Sequence, residues 1–201
     1  GIGQGFMQST PLQLAVMAAR IATGRAVVPH LVVPEKGAPE PELTPLLDID
    51  PAYLHYVRGG MLGAVNEKGG TAVRSALALP DVQMAGKTGT SQVVSLANKS
   101  TLGGWESEHH ALFIAFAPAH APRYAAACVV EHGGGGSRAA APVVKDVMTE
   151  VLLRNPAGRP VFVPDDKVAS NDAASGEAQP APVHAAADAA GGQGGGSGGA
   201  P

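Results

Sequence analysis

Two apolar runs, ALFIAFAP at 111–118 and RYAAACVVEH at 123–132, constrain the fold of this chain more than any other feature. A short proline-bounded turn, PAHAP at 118–122, joins them, so the spacing predicts an antiparallel hairpin. Neither run alternates apolar with polar, so both faces of the resulting sheet need a cover. A third strand, VQMAGKTGTSQVV at 82–94, precedes the hairpin.

Helices to supply that cover are punctuated in the sequence. In STPLQLAVMAARIATG, Thr10 suits an N-cap, Pro11 the first helical position, and Gln13 completes a capping box. Leu14, Met17, Ala18, Ile21 and Ala22 form one apolar face, and Gly24 fits a left-handed stop. Asp50-Pro51 opens a second helix with Tyr53, Val57, Met61 or Leu62, and Val65 on its buried side. A last helix at 140–154 should turn Val144, Val147, Met148, Val151 and Leu152 inward, leaving Lys145, Asp146 and Glu150 in water. NEKGGTA ends the second helix, and TAVRSALA suits a short helical turn. RAVVPHLVV reads as a short edge strand, because Pro29 lacks a donor, and 34–48 as a surface loop. The expected class is therefore α/β in the α+β sense, with antiparallel strands flanked by helices.

Beyond about residue 165 large apolar side chains stop, and the last thirty or so positions are nearly all Ala, Gly, Pro, Ser and Asp. Such a composition cannot offset its ordering entropy, so 157–201 is expected to be a disordered low-complexity tail behind a domain at 1–156. Net charge is −3 with dispersed cations, which argues against a nucleic-acid partner. The single cysteine, Cys128, reads as a small core residue and excludes an internal disulfide. The chain opens on GIGQGFMQST, with no leader pattern and no stretch of the ~18 apolar residues a membrane span needs.

The chemistry centres on MAGKTGTSQVV. Lysine and threonine after glycine suggest a phosphate loop, but that loop needs glycine where Asp81 stands, and Gly89 would interrupt the helix that binds phosphate. On a strand, Lys87 and Gly89 share one face, a cation beside a clear approach to backbone. Thr88 and Thr90 hydroxyls can donate to a carboxylate, and the Thr90 N–H can face a developing oxyanion. That set suits a site gripping a peptide's terminal carboxylate while a serine attacks the adjacent carbonyl. Ser91 and Gln92, just past the motif, are candidate substrate contacts.

Five blocks in order, GIGQGFMQSTPLQLAVMAARIATG, NEKGGTA, MAGKTGTSQV, HALFIAFAP and VVEHGGGGSRAAAPVVKDV, resemble the C-terminal part of the transpeptidase domain of penicillin-binding protein 2. The resemblance covers roughly residues 1–156. It implies the penicillin-binding and serine β-lactamase-like fold, here only in part. It also implies a D,D-transpeptidase of cell-wall synthesis working through a serine acyl-enzyme without a cofactor. Lys87, Thr88, Gly89 and Thr90 fall on the family's third active-site motif, with Lys87 and Thr90 catalytic and the Thr90 amide in the oxyanion hole. Implied partners are peptidoglycan stem peptides, β-lactams and membrane proteins of the elongation machinery, at the periplasmic face of the inner membrane behind an upstream anchor.

The family also uses a Ser-x-x-Lys nucleophile and base and a Ser-x-Asn or Ser-x-Asp element. None of the chain's serines has lysine three positions on, and the lone Ser-x-Asp, Ser170 with Asp172, lies in the tail. The chain is thus expected to be a C-terminal piece of the enzyme, inactive alone. Two other classes are weighed beside this one: a carboxypeptidase or β-lactamase relative, and a non-catalytic binding module. WESEHHALF, with Glu106, Glu108, His109 and His110, reads as polar strand entry rather than a metal site, and Trp105 as a border of the groove. HGGGGS reads as a flexible link rather than an anion nest, and Gln4 in GIGQG as a residue lining the site region.

Overall fold

A computed structural model describes residues 8–31, 44–93 and 104–156. All lie within the unit Gly1–Lys167; the second unit, Val168–Pro201, and with it the expected tail, lies outside the described residues, as do Gln4 and positions 34–43 of the expected loop.

Helix α1, Pro11–Thr23, starts as its punctuation requires. Thr10 Oγ1 accepts from the Gln13 N–H at 3.2 Å, and Gln13 Oε1 accepts from the Thr10 N–H at 2.8 Å, closing the capping box. It ends at Gly24, whose φ of +69° lets its N–H reach the Arg20 carbonyl. Helix α2, Pro51–Asn66, is capped by the Asp50 carboxylate, which accepts from the Ala52 N–H. A 3-10 turn at Val73–Ser75 follows, and helix α3, Ala140–Arg154, closes the described chain.

Strands β1 (Ala85–Ser91), β2 (His110–Ala117) and β3 (Tyr124–Val130) form an antiparallel sheet in the order β1-β2-β3. Pairs such as Lys87↔Ile114, Gly89↔Leu112 and Phe113↔Cys128 fix the register. Cross-strand partners share a face, so the register sorts the core into two layers. Ala111, Phe113, Ala115 and Ala117 of β2 pack on Ala140, Ala141, Val144 and Met148 of α3, together with Val65 and Met84. On the other face Phe116 and Ala85 pack with Ala22 of α1 and Met61 of α2. The hairpin expected from the apolar runs is present, and helices lie on both faces, although every β3 residue stays half-exposed.

Some sequence expectations give way. Residues 26–30 form no strand: Arg25 and Leu46 make one isolated bridge. The Ala26 N–H donates to the Pro45 carbonyl and the Val27 N–H to the Arg25 carbonyl two residues back, a local turn that ends the ladder. Tyr53 and Val57 are exposed rather than buried, because only the C-terminal half of α2, through Met61, Leu62 and Val65, reaches the sheet. Met17 and Val147 are exposed on the shoulders of α1 and α3, where the buried arc is narrower than their apolar stripes.

Candidate active site

The motif occupies β1, which among the described residues pairs only with β2 and so forms one edge of the sheet. Two features hold it there. The Asn66 side-chain amide, at the end of α2, donates to the Leu62 carbonyl at 2.8 Å and to the Met84 carbonyl at 2.9 Å, tying helix end to strand start. Gly86 leaves room for its neighbours: a Cβ there would stand 2.5 Å from Phe113 Cζ and 2.9 Å from the Ile114 carbonyl.

Alternation along β1 divides the motif. Lys87 and Gly89 pair with Ile114 and Leu112 on one face, while Thr88 and Thr90 pair with Phe113 and Ala111 on the other. Lys87 and Gly89 therefore share a face as the spacing requires, but the two threonine hydroxyls stand on the opposite one. Lys87 Nζ curls to the strand edge and donates to the Thr88 carbonyl at 2.9 Å. The Thr88 hydroxyl donates to Thr71 Oγ1 at 3.1 Å, joining the motif to the loop after α2. Sequence reasoning named the NEKGGTA block without giving Thr71 a part in the site; its only signal was a glycine-rich loop ending in a hydroxyl shortly before the strand.

Lys87 and Ile114 border an open groove of about 730 Å³, with Ile21 of α1, Met61 of α2, and Lys68 and Thr71 of the loop along its walls. The groove thus shares its lining between Lys87, a second cation and Thr71. Ser91, the last residue of β1, and Gln92 just after it are exposed, with Ser91 opposite His110.

At that end of β1 three rings gather. His132 meets Trp105 edge-on at 4.7 Å and His110 at 4.8 Å. His110 Nδ1 accepts from the His132 N–H at 2.9 Å, and His109 Nδ1 from the Val93 N–H at 3.4 Å. These nitrogens serve the backbone; among the described residues no three His, Cys, Asp or Glu side chains are grouped as metal ligands. Trp105 is 66% exposed and stands over His132, beyond the end of the motif.

The glycine run after β3 is a hydrogen-bonded turn rather than a bare link. Gly133 N–H donates to the Val130 carbonyl, Gly134 N–H to His109 and Gly135 N–H to Gly133. With those three amides engaged, the run offers no anion nest. Burial pushes the Cys128 thiol up from its ordinary range, so it stays protonated between the sheet and α3.

Comparison with known proteins shows the family of the chain. The family described as penicillin binding protein transpeptidase domain matches residues 1–149. The peptidoglycan D,D-transpeptidase MrdA of Haemophilus influenzae is 39% identical over 163 residues, covering 76% of this chain and 25% of that protein. The peptidoglycan D,D-transpeptidase PbpA of Mycobacterium tuberculosis is 32% identical over 173 residues, 77% of this chain and 32% of that one. Among solved structures, Pseudomonas aeruginosa PBP2 in complex with WCK 5153 superposes with a TM-score of 0.59 at 39% identity, over 76% of this chain and 31% of that one. The PBP2 of a complex with MreC from Helicobacter pylori gives 0.61 at 35%, over 78% and 27%. The chain spans about a quarter to a third of the length of these curated relatives.

Proposed function

The chain belongs to the penicillin-binding protein transpeptidase family, in its MrdA or PBP2 branch, and from that premise we propose that β1 is the carboxylate-holding, oxyanion-forming side of a serine acyltransferase site. The observation that carries this reading is the placement of Lys87–Thr90 on a sheet edge that opens onto the groove. The donor is a peptidoglycan stem peptide, and a β-lactam mimics it. Its terminal carboxylate lies along the outer edge of β1, which Lys87 Nζ reaches from one face and the Thr88 and Thr90 hydroxyls border from the other, with Gly89 admitting the peptide close to the backbone and Ser91 and Gln92 contacting it further along. A charged group and two hydroxyls make charge-assisted hydrogen bonds of the strong kind.

A serine Oγ from an upstream Ser-x-x-Lys segment attacks the carbonyl next to that carboxylate. The C–O bond forms, the C–N bond to the terminal residue breaks, and the departing amine takes the proton that the base received from the serine. An acceptor amine then attacks the ester and restores the hydroxyl. Charge gathers on the carbonyl oxygen, where the Thr90 N–H acts. Lys87 Nζ reaches the Thr88 carbonyl at the strand edge, and direction repeats every second residue, which supports an outward Thr90 N–H. Lys87 stabilises negative charge in the same space and assists proton movement.

In this reading the protein works at the periplasmic face of the inner membrane, and a membrane scaffold such as the MreC bound by the Helicobacter pylori relative is a partner. The 201-residue chain alone should form no adduct with a fluorescent penicillin. The contiguous polypeptide joining it to the Ser-x-x-Lys segment should label, and Lys87→Ala should slow that labelling. Label on a serine of the isolated chain would refute an upstream nucleophile.

A further inference from the structure

The turn that follows β3 presses on the motif from behind. Gly136 is buried, and a Cβ built on it would stand 2.7 Å from the Gly89 carbonyl oxygen and 3.1 Å from the Gly89 nitrogen, and closer still to the Leu112 carbonyl. These are backbone atoms of one pair of the β1–β2 ladder, Gly89↔Leu112, and backbone cannot rotate away as a flexible side chain can. The Gly136 carbonyl in turn accepts from the N–H groups of Ala140 at 3.2 Å and Ala141 at 2.8 Å, the first turn of α3. One bare α-carbon therefore touches the peptide next to Thr90 while its own carbonyl is fixed to the helix backing the sheet.

We propose that Gly136 is a positioning residue for the transpeptidase motif, setting how far the Gly89–Thr90 peptide stands toward the groove and so the aim of the Thr90 amide. This rests on the functional reading above and adds to it a residue far from the motif in sequence. Any side chain at 136 drives the ladder pair outward, and an oxyanion donor works only within a few tenths of an ångström of its target. Gly135, one residue earlier, has open space where its Cβ would go, which makes it the internal control.

The test measures acylation by a fluorescent penicillin in the contiguous polypeptide carrying the Ser-x-x-Lys segment, separating non-covalent affinity from the acylation rate constant. Gly136→Ala should lower the rate constant about tenfold or more, as expected for a misplaced oxyanion donor, and leave the affinity within about threefold. Gly135→Ala should match the wild type. If Gly136→Ala does not fold, a glycine inserted between Gly134 and Gly135 relaxes the same contact and should give the same split. A rate constant within about twofold of wild type in the folded variant would overturn the proposal, as would a loss confined to affinity. A wild-type polypeptide that takes no label would instead overturn the functional reading itself, and this inference with it.

Discussion

Lys87 and Thr88 are neighbours in sequence, yet the strand turns their side chains to opposite faces, so they answer to different surroundings. Lys87 faces the groove, and in the contiguous enzyme Lys87→Ala should weaken acylation by penicillin about 100-fold, as loss of a charge-assisted contact to a reacting anion does. The measurement is the second-order acylation rate; an unchanged rate would remove Lys87 from the site. Thr88 instead leans on Thr71, so Thr71→Val should free the Thr88 hydroxyl and reduce the same rate, whereas Thr71→Ser should restore it. The four motif residues were legible because their chemistry lies in consecutive letters. Thr71 and Gly136 were not, because their importance comes from a contact across 17 residues in one case and from close approach to the backbone of distant strands in the other. Cys128 was legible as inert. Its thiol, pushed up by desolvation, should react with a disulfide reagent at pH 8 at least about tenfold more slowly in the folded chain than in urea.

Elements were legible where a local rule fixes their ends. Thr10, Pro11, Gln13 and Gly24 bound α1 without help from the rest of the molecule, and the proline-bounded turn fixes the hairpin. The stretch after Gly24 misled because its β-branched residues suit a strand, while among the described residues no neighbouring ladder takes their amides beyond Ala26. β-propensity describes fit to a sheet surface, and among the described residues 26–30 meet no such surface. The link between elements also escapes sequence patterns: Asn66 ends α2 and simultaneously holds the Met84 carbonyl at the mouth of β1. Asn66→Ala should cost about 1–2 kcal/mol of unfolding free energy in urea titration, more than the roughly 1 kcal/mol expected for Thr10→Ala, whose capping contacts are exposed. Equal losses would mean that the Asn66 bridge merely caps its own helix.

At the scale of the molecule, several large apolar side chains of the described residues stand open to water. Tyr53 and Tyr56 are 66% and 76% exposed on α2, with Leu12 on α1 and Leu46 and Ile49 between the helices also open to water. Single exposed apolar residues are ordinary, but several large ones open to water favour association with another polypeptide. β3 adds to this, since among the described residues it pairs on one side only and its free backbone groups invite another strand. Amphipathic patterning read Tyr53 and Val57 as buried, and both are exposed here. It follows that the isolated chain should self-associate, with a sedimentation coefficient that rises with concentration. Tyr53→Lys with Tyr56→Lys should reduce that association while changing monomer stability by no more than about 0.5 kcal/mol per site, since neither ring is buried. Association undiminished in the double variant would move the sticky surface to the β3 edge, where Tyr53 and Tyr56 play no part.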